Sequence, residues 1–191
     1  HIPDPDDTWV HYDNPIEQKY TKNNGFSNDI KSVFDLLQSD DFVNKLRKMS
    51  GIHNLERDDM LYGAGIHAYP RNGKLDIHLD YDINPITKKQ RRLNLIVYMN
   101  KDWKEEYGGE LELKGQVIKE GTGFNTAIIF KTTDDAFHGV PKPITCPEGT
   151  FRKSINVYYV SDPRYKAEFF PYKDQPVCEK LAKLYEIRKH R

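Results

Sequence analysis

Phe151-Arg152-Lys153-Ser154-Ile155-Asn156-Val157-Tyr158-Tyr159-Val160 is a run of β-branched and aromatic residues in which polar and apolar side chains alternate. As a strand it sends Arg152, Ser154, Asn156 and Tyr158 to one face. Five shorter runs of the same character precede it, at residues 61–70, 75–82, 92–99, 109–113 and 124–130, separated by Gly, Pro, Asn and Asp clusters. Many short strands with no long helix between them predict an antiparallel sandwich or double-sheet barrel.

Working outward, the period changes on both sides of this core. From Ser27, the residues Val33, Phe34, Leu36, Leu37, Phe42, Val43 and Leu46 recur at helical spacing, with a break near Ser39-Asp40 and a stop at Gly51. Residues 27–60 therefore read as helices that cover the sheet. Residues 1–26 carry Pro3, Pro5, Pro15 and an Asn23-Asn24-Gly25 turn signal without a sustained period, and read as an arm or edge segment. After residue 160 a tail leads to a predicted terminal helix started by Asp174 and Pro176, with Val177, Leu181, Leu184 and Ile187 inward and Lys180, Lys183, Arg188 and Lys189 outward. The 191 residues, 37% of them hydrophobic, suit a single domain over 1–191 whose core is 61–160.

Charge and cysteine usage exclude several classes of function. With 29 basic and 29 acidic residues the formal net charge is zero, so the electrostatic footprint of a nucleic-acid or anionic-membrane binder is absent. No run approaches the roughly 20 apolar residues of a membrane span. Cys146 and Cys178 are too few for a disulfide framework and too far apart for a Cys-x-x-Cys motif, which points to a soluble, reducing, cytoplasmic setting.

The chemistry concentrates in Leu75-Asp76-Ile77-His78-Leu79-Asp80-Tyr81. Strict alternation puts Asp76, His78 and Asp80 on one face and Leu75, Ile77, Leu79 and Tyr81 on the other. An imidazole and a carboxylate two residues apart can share a metal ion, and a second imidazole, His138, follows the apolar run 125–130. Two His and one carboxylate on one side of an ion make the facial triad of non-haem Fe(II) oxygenases. If the Arg152 face lines a barrel interior, the buried guanidinium requires an anion, and a dicarboxylate cosubstrate supplies one through a bidentate fork. Tyr98, on one face of the run 92–99 with Asn94, is placed to donate to the same carboxylate.

The order Tyr69-Pro70, His78-Leu79-Asp80, Arg91 to Trp103, Gly108-Gly109-Glu110-Leu111, His138-Gly139-Val140 and Arg152-Lys153-Ser154-Ile155-Asn156 resembles the 2-oxoglutarate and Fe(II)-dependent oxygenases of the prolyl-hydroxylase type, over about residues 60–160. The resemblance implies a mainly β fold with flanking helices, built on a double-stranded β-helix (jelly-roll, cupin-like) core. It implies His78, Asp80 and His138 as metal ligands and catalytic residues, and Arg152 as partner of the distal carboxylate of 2-oxoglutarate. Tyr98 would assist that carboxylate, with Tyr69, Ser154 and Asn156 lining the pocket. It further implies Fe(II), 2-oxoglutarate and O₂, with ascorbate as a helper, and a peptidyl proline as the first-guess substrate. The carboxylate at Asp80 favours hydroxylation over halogenation, since related halogenases lack it.

Other readings are carried alongside. A free amino acid or other small metabolite is the rival substrate; a non-catalytic cupin-like metal- or ligand-binding module is the rival class. A nucleic-acid demethylase is disfavoured by zero net charge and by the lack of a second Arg following Arg152 on its strand. Asp76 is expected beside the site or near its entrance, His67 is expected to have no role, Trp103 to be packing, and Gly108-Gly109 to be a hairpin turn. Residues 141–150, rich in proline, are read as a surface excursion, and residues 82–91 as a loop beside the substrate.

Overall fold

In the computed structural model, which describes residues 2–84, 86–119 and 122–164, every named strand pairing is antiparallel. The strands are β1 (Val10–Asp13), β2 (Glu17–Lys22), β3 (Glu56–Arg57), β4 (Gly65–Tyr69), β5 (Lys74–His78), β6 (Gln90–Tyr98), β7 (Leu111–Leu113), β8 (Gln116–Ile118), β9 (Thr126–Lys131), β10 (His138–Val140) and β11 (Arg152–Ser161). They form one curled sheet in the order β8-β7-β10-β5-β2-β4-β11-β6-β9, with β1 added to β2 and β3 to β11. This is the double-stranded β-helix that the strand pattern and the family resemblance anticipate.

Helices α1 (Asn28–Leu37) and α2 (Asp40–Ser50) cover one side. The break falls at Ser39, whose hydroxyl accepts from the Phe42 amide as an N-cap, and the stop falls at Gly51, whose φ of 73° closes α2 in the left-handed conformation. Ile30, Phe34, Leu37, Val43 and Leu46 face inward and meet Ile66, Ala68, Leu93, Leu95, Ile155, Val157 and Tyr159 from the sheet in one apolar core. Neither helix is long and apolar enough to cross a membrane.

Several features differ from the sequence expectation: β3 is a strand within the stretch 27–60 read as helices, β10 was not marked, and three further differences bear on the site. The N-terminal segment is not merely an arm or an edge: β2 lies inside the sheet between β4 and β5, turned there by Asn14, whose side-chain oxygen accepts from the Ile16 and Glu17 amides. Residues 141–150 run over the surface as expected, but two of their side chains anchor the segment in the core. Ile144 and Cys146 are fully buried beside Tyr69, Leu75, Trp103 and Tyr107, while Arg71 donates to the Cys146 carbonyl at 2.9 Å. Burial pushes the Cys146 thiol up, as suits a packing residue. The short β8 follows β7 through Lys114-Gly115, both at positive φ, a two-residue hairpin that the apolar pattern alone does not mark. The predicted terminal helix and Cys178 lie outside the described residues.

Candidate metal centre and its cavity

Alternation does not hold along β5. His138 pairs with His78 while Val140 pairs with Leu75, so three steps on β5 oppose two on β10 and the strand bulges between them. Gly139 sits opposite the bulge. A Cβ there would lie 2.6 Å from the Leu75 carbonyl oxygen and 2.9 Å from that of Asp76, so only glycine admits the approach. The bulge brings Leu75 and His78 to the same cavity wall and takes Asp76 off it. The Asp76 carboxylate instead pairs with Lys74 at 3.2 Å, and its contribution to the site is its carbonyl.

That carbonyl orients His78. Nδ1 of His78 lies 2.9 Å from Asp76 O, and Nδ1 of His138 lies 2.9 Å from Ala136 O. A carbonyl only accepts, so each Nδ1 carries the proton and each Nε2 presents its lone pair. Nε2 of His138 is 3.6 Å from Asp80 Oδ2, and Nε2 of His78 is 4.0 Å from Asp80 Oδ1. All three donor atoms lie within 4.8 Å of one another. Burial, then the charge of His138, lowers His78 to about 3 and keeps it neutral. Burial alone would raise Asp80, but His138, Arg91, His78 and the Tyr158 hydroxyl together hold its carboxyl well below the usual range.

The cavity above this cluster has a volume of about 450 Å³, and the sequence-predicted residues Tyr69, Arg152, Ser154 and Asn156 line it with the triad. Tyr98 lies fully buried behind that wall. Arg152, 2% exposed, donates from Nε to the Gly109 carbonyl at 2.6 Å and from Nη2 to the Tyr98 hydroxyl at 3.2 Å. Its guanidinium carbon stands 4.8 Å from the Tyr98 ring centre and 5.1 Å from that of Tyr69. No described carboxylate lies within 4.0 Å of it, and a buried guanidinium is one that an anion would stabilise. Burial raises the Tyr98 phenol, which stays a neutral donor. Asn156 donates to the Ser154 hydroxyl at 3.0 Å, which ties the middle of the β11 face together.

Several cavity residues were not anticipated. Gly108-Gly109 is not the expected hairpin turn: it leads from the 3-10 turn Glu105–Tyr107 into β7, and at φ +86° a Cβ on Gly109 would lie 2.7 Å from Arg152 Cδ. The Gly-Gly pair is its only sequence signal. Lys19, 6% exposed, lines the wall from β2, ion-paired to the buried Glu17 at 3.1 Å, and nothing in its sequence neighbourhood marks it. His67, expected to have no role, also lines the cavity, across from Thr21 of β2. Tyr158 and Asn94 both donate to Asp80; the face they share with Arg152 and Tyr98 was visible, but not this contact. Trp103 packs as expected, its indole N–H on the Gly108 carbonyl. Ahead of β6, Asn84, fully buried, accepts from the Ile86 and Thr87 amides.

Residues 64–160 match the family model of the 2OG-Fe(II) oxygenase superfamily. No curated protein sequence matches the chain. Among solved structures, a Pseudomonas putida prolyl-4-hydroxylase aligns over 81% of this chain and 77% of its own, at 16% identity and TM-score 0.55. A viral collagen prolyl hydroxylase from Paramecium Bursaria Chlorella virus-1, in complex with 2OG, aligns over 76% and 78%, at 17% identity and TM-score 0.51. A Trichoplax adhaerens prolyl hydroxylase, in complex with a hypoxia inducible factor peptide fragment, aligns over 82% and 72%, at 16% identity and TM-score 0.55. At these identities the likeness is one of fold.

Proposed function

The chain belongs to the 2OG-Fe(II) oxygenase superfamily, and from that premise we propose that it hydroxylates a peptidyl proline with His78, Asp80 and His138 as its iron ligands and Arg152 as the anchor of 2-oxoglutarate. One observation carries the reading: two imidazoles presenting Nε2 and one carboxylate converge in the cavity whose wall holds a buried, carboxylate-free arginine. The donor set fits the ion. Two neutral nitrogens and one anionic oxygen are the facial triad of a non-haem Fe(II) centre, and both rings are already fixed by carbonyls behind them. When bound, iron and 2-oxoglutarate supply the oxidising chemistry, in which O₂ is consumed, 2-oxoglutarate yields succinate and CO₂, and a C–H bond gains an oxygen atom.

The chain's own part is binding, orientation and exclusion. Arg152 and the Tyr98 hydroxyl take the distal carboxylate, with the guanidinium held on the cavity wall by the Gly109 carbonyl. Tyr69 packs beside it, and Ile96, Leu111 and Val140 keep that wall apolar. Ascorbate is expected to sustain turnover, as the family resemblance suggests.

Proline as the substrate is supported by the three prolyl hydroxylase neighbours, one holding a peptide, and by the tyrosines of the cavity. Tyr12, Tyr62, Tyr81 and Tyr158 all line it and offer apolar ring faces of the kind that pack against a pyrrolidine ring. Succinate formation under air with Fe(II), 2-oxoglutarate and ascorbate tests the cofactor chemistry. Wild type is expected to turn over slowly without substrate, His78→Ala to lose turnover, and Arg152→Ala to bind 2-oxoglutarate on the order of 100-fold more weakly, as the loss of charge-assisted hydrogen bonds implies. Failure of the wild type to bind 2-oxoglutarate anaerobically overturns the reading. Product screening across proline-containing peptides and free amino acids tests the substrate, and hydroxylation of free amino acids alone rejects the peptide.

A further inference from the structure

The three residues of the cluster are not oriented by the same means. His78 and His138 are each held by a carbonyl two residues upstream on their own strand. Asp80 lies beyond the end of β5, where no ladder fixes it. Its two oxygens are instead taken by side chains from across the sheet. The Tyr158 hydroxyl donates to Oδ1 at 2.6 Å, and the Asn94 amide donates to Oδ2 at 2.9 Å. Tyr158 and Asn94 are direct cross-strand partners on β11 and β6, so the sheet register sets the spacing of the two donors.

Tyr158 is itself braced. The Arg91 guanidinium carbon lies 3.8 Å from its ring centre, and Arg91 donates to the Tyr62 carbonyl. Gly63 leaves room for that arm, since a Cβ there would lie 3.1 Å from Arg91 Nη2. A carboxylate with a donor on each oxygen, one of them at 2.6 Å, cannot swing freely about its terminal torsion.

We propose that Tyr158 and Asn94 form a cross-strand clamp that fixes the rotation of the Asp80 carboxylate, and with it the donor set that the site offers a metal. This rests on the assignment of His78, Asp80 and His138 as the metal ligands. With its Tyr158 donor removed, Asp80 would lose one of the two restraints on that rotation, and the donor set that the site offers a metal would change. Tyr158 is therefore a positioning residue. Partners of this kind behind metal ligands are worth roughly 10–100-fold in metal affinity or activity.

The test uses the full chain loaded with Co(II), whose visible absorption reports coordination number, and compares Tyr158→Phe with Tyr159→Phe. The second variant removes a hydroxyl that donates to the Leu37 carbonyl at 2.8 Å on the opposite face of β11, a loss to the fold alone. Tyr158→Phe is expected to change Co(II) affinity on the order of 10-fold and to alter the Co(II) spectrum, with Asn94→Val adding to both effects. Tyr159→Phe is expected to shift only the unfolding midpoint. An unchanged affinity and spectrum in Tyr158→Phe, or an equal change in Tyr159→Phe, overturns the clamp. Wild-type protein that binds no Co(II), indistinguishable from His78→Ala, would instead overturn the metal centre on which the clamp rests.

Discussion

The two faces of β11 are equally buried and chemically opposite. All ten of its residues are shielded from solvent, yet one face carries Arg152, Ser154, Asn156 and Tyr158 and the other Ile155, Val157 and Tyr159 along with Lys153. The outer face is ordinary core under α1 and α2, and its polar atoms are answered from the helix and N-terminal side: Tyr159 by the Leu37 carbonyl, Lys153 by the Ile2 carbonyl and Asp4. On the inner face the answers come from the cavity side, at Gly109, Tyr98 and Asp80. Burial therefore does not separate fold from function in this strand. What separates them is where each buried polar group finds its partner, since an unanswered one is costly on either face.

This contrast breaks down if outer-face changes act on binding or inner-face changes on the fold. The largest effect is expected from Ile155→Ala, which removes most of a side chain 1% exposed in the core and should cost about 2–5 kcal/mol of stability in urea unfolding. The 2-oxoglutarate affinity of the molecules that remain folded should be unchanged; a loss of affinity without a loss of stability would show that the faces are coupled.

Gly109→Ala sharpens the inner side. Its Cβ must displace Arg152, so the dissociation constant of 2-oxoglutarate should rise on the order of 10-fold in anaerobic titration, with kcat at saturation little affected. A change in kcat with affinity intact would place Gly109 outside the arginine's support.

The smallest effect expected is on pH. Burial pushes the Tyr159 phenol up, so on the outer face that hydroxyl stays protonated through the acid and neutral range. On the cavity side His78 is lowered to about 3, and the unfolded chain binds its proton near 6.5. The unfolded state thus holds more protons between those values, and the contribution of neutral His78, fully present above about 6.5, fades as pH falls toward 3. Urea midpoints of metal-free protein should decline across that window, and the decline should be smaller in His78→Gln. Equal slopes in the two proteins would remove His78 as its source.

Much of this arrangement follows from local pattern. Period-two alternation identifies the Arg152 face, helical spacing identifies α1 and α2, and Ser39 and Gly51 mark where one helix starts and stops, because those signals depend on neighbours in the chain. The His78, Asp80 and His138 positions were legible for the same reason, through spacing and order along the chain. The faces of β5 were not. Alternation predicts Asp76 beside His78, and the bulge opposite Gly139 puts Leu75 there instead, a choice made by a strand about sixty residues away.

The same reason covers the rest. Lys19 reaches the cavity because β2 inserts between β4 and β5, Ile144 and Cys146 become core because Tyr69 and Trp103 are waiting for them, and Asp80 is gripped because register sets Tyr158 against Asn94. Sequence by itself determined β4, β5, β6, β7, β9 and β11, the covering helices and the residue types able to hold a metal and an anion, since each is a property of a short stretch. Tertiary structure alone decided which of those side chains share a wall and which donor answers which acceptor, because those contacts join segments that meet only when the sheet curls closed.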